Sequence, residues 1–289
     1  MLGAIIGDVA GSTYEVDEII EKKKGSKVSY ENRIKIMNKN IPLFKNDSSL
    51  TDDSVLTCAI ADALINGVSY EEKLREYGKR ELALGCDCYG RSRFGHGFIN
   101  WLNDSSKNNS YGNGCAMRVS PIASLLDDIK EIKKETYKAT VTTHNSYEAI
   151  ICAQAVSMSI YMAKNKKSKE EIRKYIEENY FSLDFDIEDL RHNYKFSSKC
   201  TESVPQAIYI FLTANDFEDG IRKAISIGGD SDTIACICGS ILESYYGVPE
   251  DLFKKVEKYI PDYLKCVIYE FYERKLNNER NSVKIKRKK

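Results

Sequence analysis

The sequence lacks a charge of either sign in excess. Lys and Arg total 43, Asp and Glu total 43, and the formal net charge is zero. That balance excludes a general electrostatic attraction to nucleic acid or to an anionic membrane. No apolar stretch is long enough to span a bilayer. The opening Met1-Leu2-Gly3-Ala4-Ile5-Ile6 runs straight into Gly7-Asp8, too short for a secretory leader. Prolines number only five across 289 residues, and strand-type alternation is scarce, which argues against a β architecture. The nine cysteines do not form a framework. Cys58, Cys152, Cys236, Cys238 and Cys266 sit in apolar, helix-like runs, and Cys86/Cys88 is a lone C-x-C with no matching pair. An odd count in a chain with a large core implies reduced thiols in a cytoplasmic protein, and Cys86/Cys88 reads better as a plain loop than as a metal or redox site.

What is present is helical periodicity near 3.6, over residues 54–65, 147–163, 204–213, 219–226, 233–245 and 261–276. Gly3, Gly7 and Gly11 recur every four residues in the first helix. They put three bare positions on one face, where another backbone can approach closely. No composition shift marks a linker and no repeat is evident. The expectation is a compact all-α, multi-helix domain over residues 1–276. Residues 22–46, polar and charged, read as a mobile excursion over the site. Residues 277–289 end in Lys284-Ile285-Lys286-Arg287-Lys288-Lys289 and read as a flexible basic tail. A weak contact of that tail with nucleic acid is the less favoured alternative.

Two acidic clusters carry the chemistry. Thr51-Asp52-Asp53-Ser54 and Gly229-Asp230-Ser231-Asp232-Thr233 each run directly into an apolar helix. Helix capping explains one or two of these residues, but not the whole set. Carboxylates this close repel unless a cation offsets them, and Asp with Thr supplies the hard oxygens that Mg²⁺ or Mn²⁺ prefers. Gly228-Gly229 permits a tight turn that aims Asp230, Asp232 and Thr233 at one point. A calcium loop is disfavoured because the sequence passes at once into Ile234-Ala235-Cys236 instead of toward a distant Glu. Glu15, read as lying just past the first helix, is a loop residue unless it flanks a metal, where it becomes a candidate acid/base. Tyr111-Gly112-Asn113-Gly114-Cys115-Ala116-Met117-Arg118 is a turn whose N–H groups can cradle a phosphate, without a Walker signature. His144, one of three histidines, is equally a structural residue or a ligand contact.

In this order the segments resemble the ADP-ribosylglycohydrolase family, which includes dinitrogenase reductase-activating glycohydrolase. The resemblance rests on Gly3-Ala4-Ile5-Ile6-Gly7-Asp8, Tyr14-Glu15, Thr51-Asp52-Asp53-Ser54, Gly112-Asn113-Gly114, Ala116-Met117-Arg118 and Thr143-His144. Ser203-Val204-Pro205-Gln206-Ala207, Gly228-Gly229-Asp230-Ser231-Asp232-Thr233 and Tyr245-Tyr246-Gly247 complete it. It implies an all-helical fold with a binuclear magnesium centre and hydrolysis of ADP-ribose from a modified target. Carried over by position, Thr51, Asp52, Asp53, Asp230, Asp232 and Thr233 become metal ligands. Glu15 becomes the flexible acid, and Asp53 or Glu15, beside Asp52, moves the proton. Gly112, Asn113, Gly114, Cys115, Ala116 and Met117 become the diphosphate loop, and His144 contacts ADP-ribose. Ser54 and Cys115 depart from the common pattern, and Cys115 bears on the loop's side-chain contact. The expected target is an ADP-ribosylated protein with ADP-ribose as product, and the expected linkage is to arginine. O-linked (serine) or nucleic-acid-linked ADP-ribose, a non-catalytic ADP-ribose-binding module, and a phosphohydrolase cutting the diphosphate are the rival readings. Asp87 to Trp101, with the aromatic and basic Tyr89 to His96, is a candidate for the pocket mouth.

Overall fold

The computed structural model describes residues 1–86 and 92–286. Every regular element among them is a helix, and strand-like pairing is limited to two isolated bridges, Asn109 with His144 and Gly112 with Lys199. The all-α expectation holds. Asp87, Cys88, Tyr89, Gly90 and Arg91, named above as part of a pocket mouth, lie outside the described residues, as do Arg287, Lys288 and Lys289.

The expected helices form as Asp52–Asn66, Tyr147–Lys164, Val204–Thr213, Phe217–Ser226, Ser231–Tyr246 and Asp262–Lys286. Their starts follow from capping. Thr51, Ser146 and Asp216 accept from the backbone N–H of Asp53, Ala149 and Asp219 respectively, which satisfies a donor left orphaned in the first turn. The last helix continues to Lys286, beyond position 276. No described helix is long and apolar enough to cross a membrane.

Ser231–Tyr246 runs through the centre. All residues from Ser231 to Leu242 are buried, as its apolar sequence on every face requires. Helices Val204–Thr213, Phe217–Ser226 and Tyr147–Lys164 pack around it, and Leu2–Lys23 lies closest. The glycine stripe makes that approach possible. A methyl at Gly3 would stand 2.1 Å from the Gly239 carbonyl oxygen, and one at Gly7 only 2.0 Å from that of Ala235. The same contact sets the position of Asp8 and Glu15 against Asp230 and Asp232.

Two expectations change. The first helix extends to Lys23, so Glu15 lies inside it and its backbone is held by helical hydrogen bonds. The excursion after it is pinned, not loose. It forms the Ser29-capped helix Tyr30–Ile34, from which buried Arg33 donates to Glu18 through Nε at 2.8 Å and Nη2 at 2.9 Å. Arg33 also donates to the carbonyls of Arg191 and Tyr194, at 3.1 and 3.0 Å. A buried, bidentate ion pair backed by two further carbonyl acceptors fixes the geometry of this segment.

Candidate metal and substrate site

Backbone conformation delivers the second acidic cluster. Gly228 and Gly229 have φ of 76° and 75°, the left-handed region that side chains disfavour. The turn is also crowded: a methyl on Gly228 would meet Glu18 Oε1 at 2.2 Å. It leads Asp230 to the N-terminus of Ser231–Tyr246, where the Ser231 hydroxyl donates to the Gly11 carbonyl at 3.1 Å.

The first cluster is organised by Asp8, which lies on the Leu2–Lys23 helix and is wholly buried. Its carboxylate accepts from the Thr51 N–H and the Ser54 N–H, both at 3.1 Å, from the Thr51 hydroxyl at 2.7 Å, and from the Ser54 hydroxyl. An anion at the N-terminus of Asp52–Asn66 also suits the positive end of the helix dipole. The clusters then meet directly. Thr233 Oγ1 donates to Asp53 Oδ2 at 3.2 Å, joining residues 180 positions apart.

Carboxylate oxygens of Asp8, Asp53 and Asp232 lie within 4.8 Å of one another, and so do those of Glu15, Asp230 and Asp232. Asp232 belongs to both triplets. Burial is the main force on every buried acid here. It raises Asp8 to about 6 against the lowering effect of its donors, and it raises Asp230. Burial, followed by the charges of Asp8, Glu15 and Asp230, raises Asp52 to about 8. Asp53 and Asp232 are pushed well above the carboxylate range by burial and by their acidic neighbours. Asp53 Oδ1 is buried with no hydrogen-bond partner. Buried acceptors are normally satisfied, so an orphaned oxygen beside repelling carboxylates fits a hard cation.

Two cavities open from this cluster. The larger, about 540 Å³, is lined by Gly112, Asn113, Gly114, Met117, Arg118 and His144, among others. The smaller, about 250 Å³, is lined by Ser49, Leu50, Val55, Glu81, Arg93 and Phe94, among others. Glu15, Ile19, Asp52, Gly95 and Asp232 border both.

The glycine turn is a 3₁₀ turn, Asn113–Cys115, held against the cluster by Asn113 Nδ2 donating to Asp230 Oδ2 at 2.8 Å. Much of its N–H capacity is already used. Gly112 donates to Ser110 Oγ, Asn113 to the Ser198 carbonyl, and both Ala116 and Met117 to the Asn113 carbonyl. Within the turn the Cys115 N–H points back at the Gly112 carbonyl, so the Gly114 N–H is the one that keeps the capacity for an anion. Cys115 and Ala116 are completely buried and do not line the cavity with side chains; the Cys115 thiol faces the Gly112 and Ala149 carbonyls, at 3.4 and 3.5 Å.

The same residues tie the chain to known proteins. The sequence pattern of the family described as ADP-ribosylglycohydrolase matches residues 1–282. The chain belongs to the ADP-ribosylglycohydrolase family. It is 25% identical over 319 residues to the mouse protein named ADP-ribosylhydrolase ARH3, across 86% of this chain and 83% of that one. It is also 25% identical to a putative ADP-ribosyl glycohydrolase of a mimivirus of Acanthamoeba polyphaga, across 85% of each chain. A solved structure titled ADP-ribosylglycohydrolase-related protein complex shares the fold with a TM-score of 0.61 at 16% identity, covering 95% of this chain and 97% of that one. This ADP-ribosylglycohydrolase is therefore a glycosidase that removes ADP-ribose from ADP-ribosylated substrates.

The structure brings Asp52, Asp53, Asp230, Asp232 and Thr233 together with Glu15, Thr51, Asn113 and His144 around one cluster and its two cavities. Of the suggested pocket mouth, Ser92, Arg93, Phe94 and Gly95 line the smaller cavity and Gly95, His96, Gly97 and Phe98 the larger. Sequence reasoning gave no role to Asp8, although Gly7-Asp8 stood in a quoted motif and an acid among apolar helix residues was the available signal. Arg118 and Thr143 likewise stand in motifs named above without a role of their own, and Glu81 and Phe196 are not singled out there. No local pattern marks Glu81 or Phe196 as cavity residues; only the fold brings them to the walls.

Proposed function

We propose that this glycosidase cleaves the bond at ribose C1″ and that arginine-linked ADP-ribose is its substrate. Two divalent cations, Mg²⁺ or Mn²⁺, would be held by Thr51, Asp52, Asp53, Asp230, Asp232 and Thr233. The pair of carboxylate triplets that share Asp232, together with the orphaned Asp53 Oδ1, supports this fit. When bound, such ions supply Lewis-acid polarisation of ribose hydroxyls and of a water.

The larger cavity takes the ADP-ribose half, with its diphosphate against Gly112, Asn113, Gly114, Cys115, Ala116 and Met117 and with His144 beside it. Cys115 and Ala116, buried behind the cavity wall, take part by shaping the turn. Remote anchoring of this kind orients the ribose at the reacting centre. The leaving group then enters the smaller cavity. Glu15, bordering both, stands where the scissile bond would cross, and it or Asp53, beside Asp52, accepts or returns the proton.

The observation that carries the arginine linkage is the wall of the smaller cavity. Among the described residues, Glu15, Asp52, Glu81 and Asp232 line it against one cation, Arg93. That cation shows how a guanidinium is received there: Arg93 Nη1 donates to Glu81 Oε2 at 3.0 Å. A second guanidinium carried by the target would be received at Glu15, the wall carboxylate given neither to the cations nor to Arg93. Arginine-, serine- and nucleic-acid-linked ADP-ribose, each supplied with Mg²⁺, test the reading by product mass. Release of intact ADP-ribose from the arginine linkage is expected. Release from serine or nucleic acid alone overturns the linkage, AMP as product overturns glycosidic cleavage, and binding without release overturns turnover.

A further inference from the structure

His144 has two ring edges in different surroundings. The Nε2 edge faces the glycine turn: a methyl built on Gly112 would lie 3.6 Å from Nε2, and one on Gly114 3.5 Å from both Nε2 and Cε1. The Nδ1 edge lies 2.5 Å from Thr143 Oγ1. Behind it, the guanidinium of Arg118, fully buried, donates through Nη2 to the same Thr143 oxygen at 2.6 Å and to the Ala139 carbonyl at 3.1 Å.

The proton positions follow from donor arithmetic. A guanidinium only donates, so Thr143 Oγ1 must accept from Arg118. The hydroxyl has one hydrogen, and Nδ1 of His144 is the acceptor within reach. If Nδ1 carried the proton instead, the buried hydroxyl hydrogen would face two donors and no acceptor, at a cost of about 1–3 kcal/mol. We propose that Arg118, acting through Thr143, holds His144 as its neutral Nε2–H tautomer, so that the ring presents a fixed donor to an oxygen bound against Gly112 and Gly114.

Burial first, and the Arg118 charge second, hold the His144 pKa well below the ordinary histidine value, so the ring stays uncharged. Arg118, drawn down to about 10 by burial, remains a cation at neutral pH. Its Nε and Nη1 are buried with no hydrogen-bond partner, and Cys115 and Asp52 are the neighbours that favour its charge. Thr143 and Arg118 are positioning residues in this arrangement. The use of the donor toward a diphosphate or ribose oxygen rests on the ADP-ribose reading above.

The tautomer is read directly from long-range ¹H–¹⁵N spectra of ¹⁵N-labelled wild-type protein at neutral pH, with His144 assigned by His144→Gln. The expected pattern is an unprotonated Nδ1 and a protonated Nε2. Thr143→Val should lose this pattern and bind ADP-ribose about tenfold more weakly, while Thr143→Ser should restore both. A protonated Nδ1, an imidazolium, or equal ADP-ribose affinity in the Val and Ser variants overturns the proposal. If wild-type protein shows the expected tautomer but binds no ADP-ribose, it is the functional reading that fails, since the spectrum needs no ligand.

Discussion

Asn113 Nδ2 donates to Asp230 Oδ2 at 2.8 Å, so the glycine turn and the acidic turn form one unit across 117 positions of sequence. Asn113→Ala removes a donor from a buried carboxylate and frees the turn. ADP-ribose affinity is expected to fall about tenfold, in line with the ~1–3 kcal/mol cost of an unsatisfied buried group. Calorimetry reads the affinity, and a melting curve confirms that the variant is folded. Unchanged affinity would show that the turn does not hold the ligand.

Gly7→Ala tests the helix contact beneath the site. The added methyl would stand 2.0 Å from the Ala235 carbonyl oxygen, which is backbone and cannot swing aside. A loss of at least about 2 kcal/mol in denaturant unfolding is expected, as overpacking against a rigid neighbour costs. Stability equal to wild type would contradict the close approach.

The raised acids make the stability of metal-free protein depend on pH. An aspartate in an unfolded chain titrates near 4 (~3.9), whereas folded Asp8 titrates at about 6 and Asp52 at about 8. Between those limits the folded state binds more protons than the unfolded one, so stability falls as pH rises. The contribution is fully present below about pH 4 and is lost by about pH 8. Melting in EDTA and in Mg²⁺, at about pH 5.5 and about pH 8, checks the sign. Mg²⁺ is expected to raise the melting temperature more at the higher pH, where the carboxylates must otherwise repel. A larger effect at the lower pH would contradict the electrostatic account.

Asp8→Ala separates support from repulsion. It strips the acceptor from the Thr51 and Ser54 N–H groups, both now bonded at 3.1 Å, and it removes one charge from the cluster. Stabilisation by Mg²⁺ is expected to shrink, and turnover to fall at least about tenfold, the effect of ~1.4 kcal/mol on a barrier. Turnover equal to wild type would leave Asp8 with a packing role only.

The residues that sequence reveals and those it hides divide by range. Thr51-Asp52-Asp53-Ser54 and Gly229 to Thr233 announce themselves because several oxygens crowd into a few positions before an apolar helix. The glycines at 3, 7 and 11 foretell a close approach because their spacing matches one helix face. Glu15 reads as lying past the first helix, but the helix runs on to Lys23; Gly11 already meets the start of Ser231–Tyr246, and beyond it the buried Glu18, held by Arg33 from a later segment, anchors the last turns. Residues 22–46 look loose because they are polar, but Arg33 finds Glu18, 15 positions earlier, and two carbonyls from a distant segment. Glu81 and Arg118 acquire meaning only when the fold sets one beside a cavity and the other behind a histidine.

The most direct measurement is release of ADP-ribose from an arginine-linked substrate by wild-type protein and by Asp53→Ala, each in Mg²⁺ and in EDTA. Asp53 carries the orphaned buried oxygen and belongs to the cluster that asks for a cation. Release by wild type in Mg²⁺, with none in EDTA and none by the folded variant, is the result expected. Full release in EDTA, or by Asp53→Ala, would contradict the account.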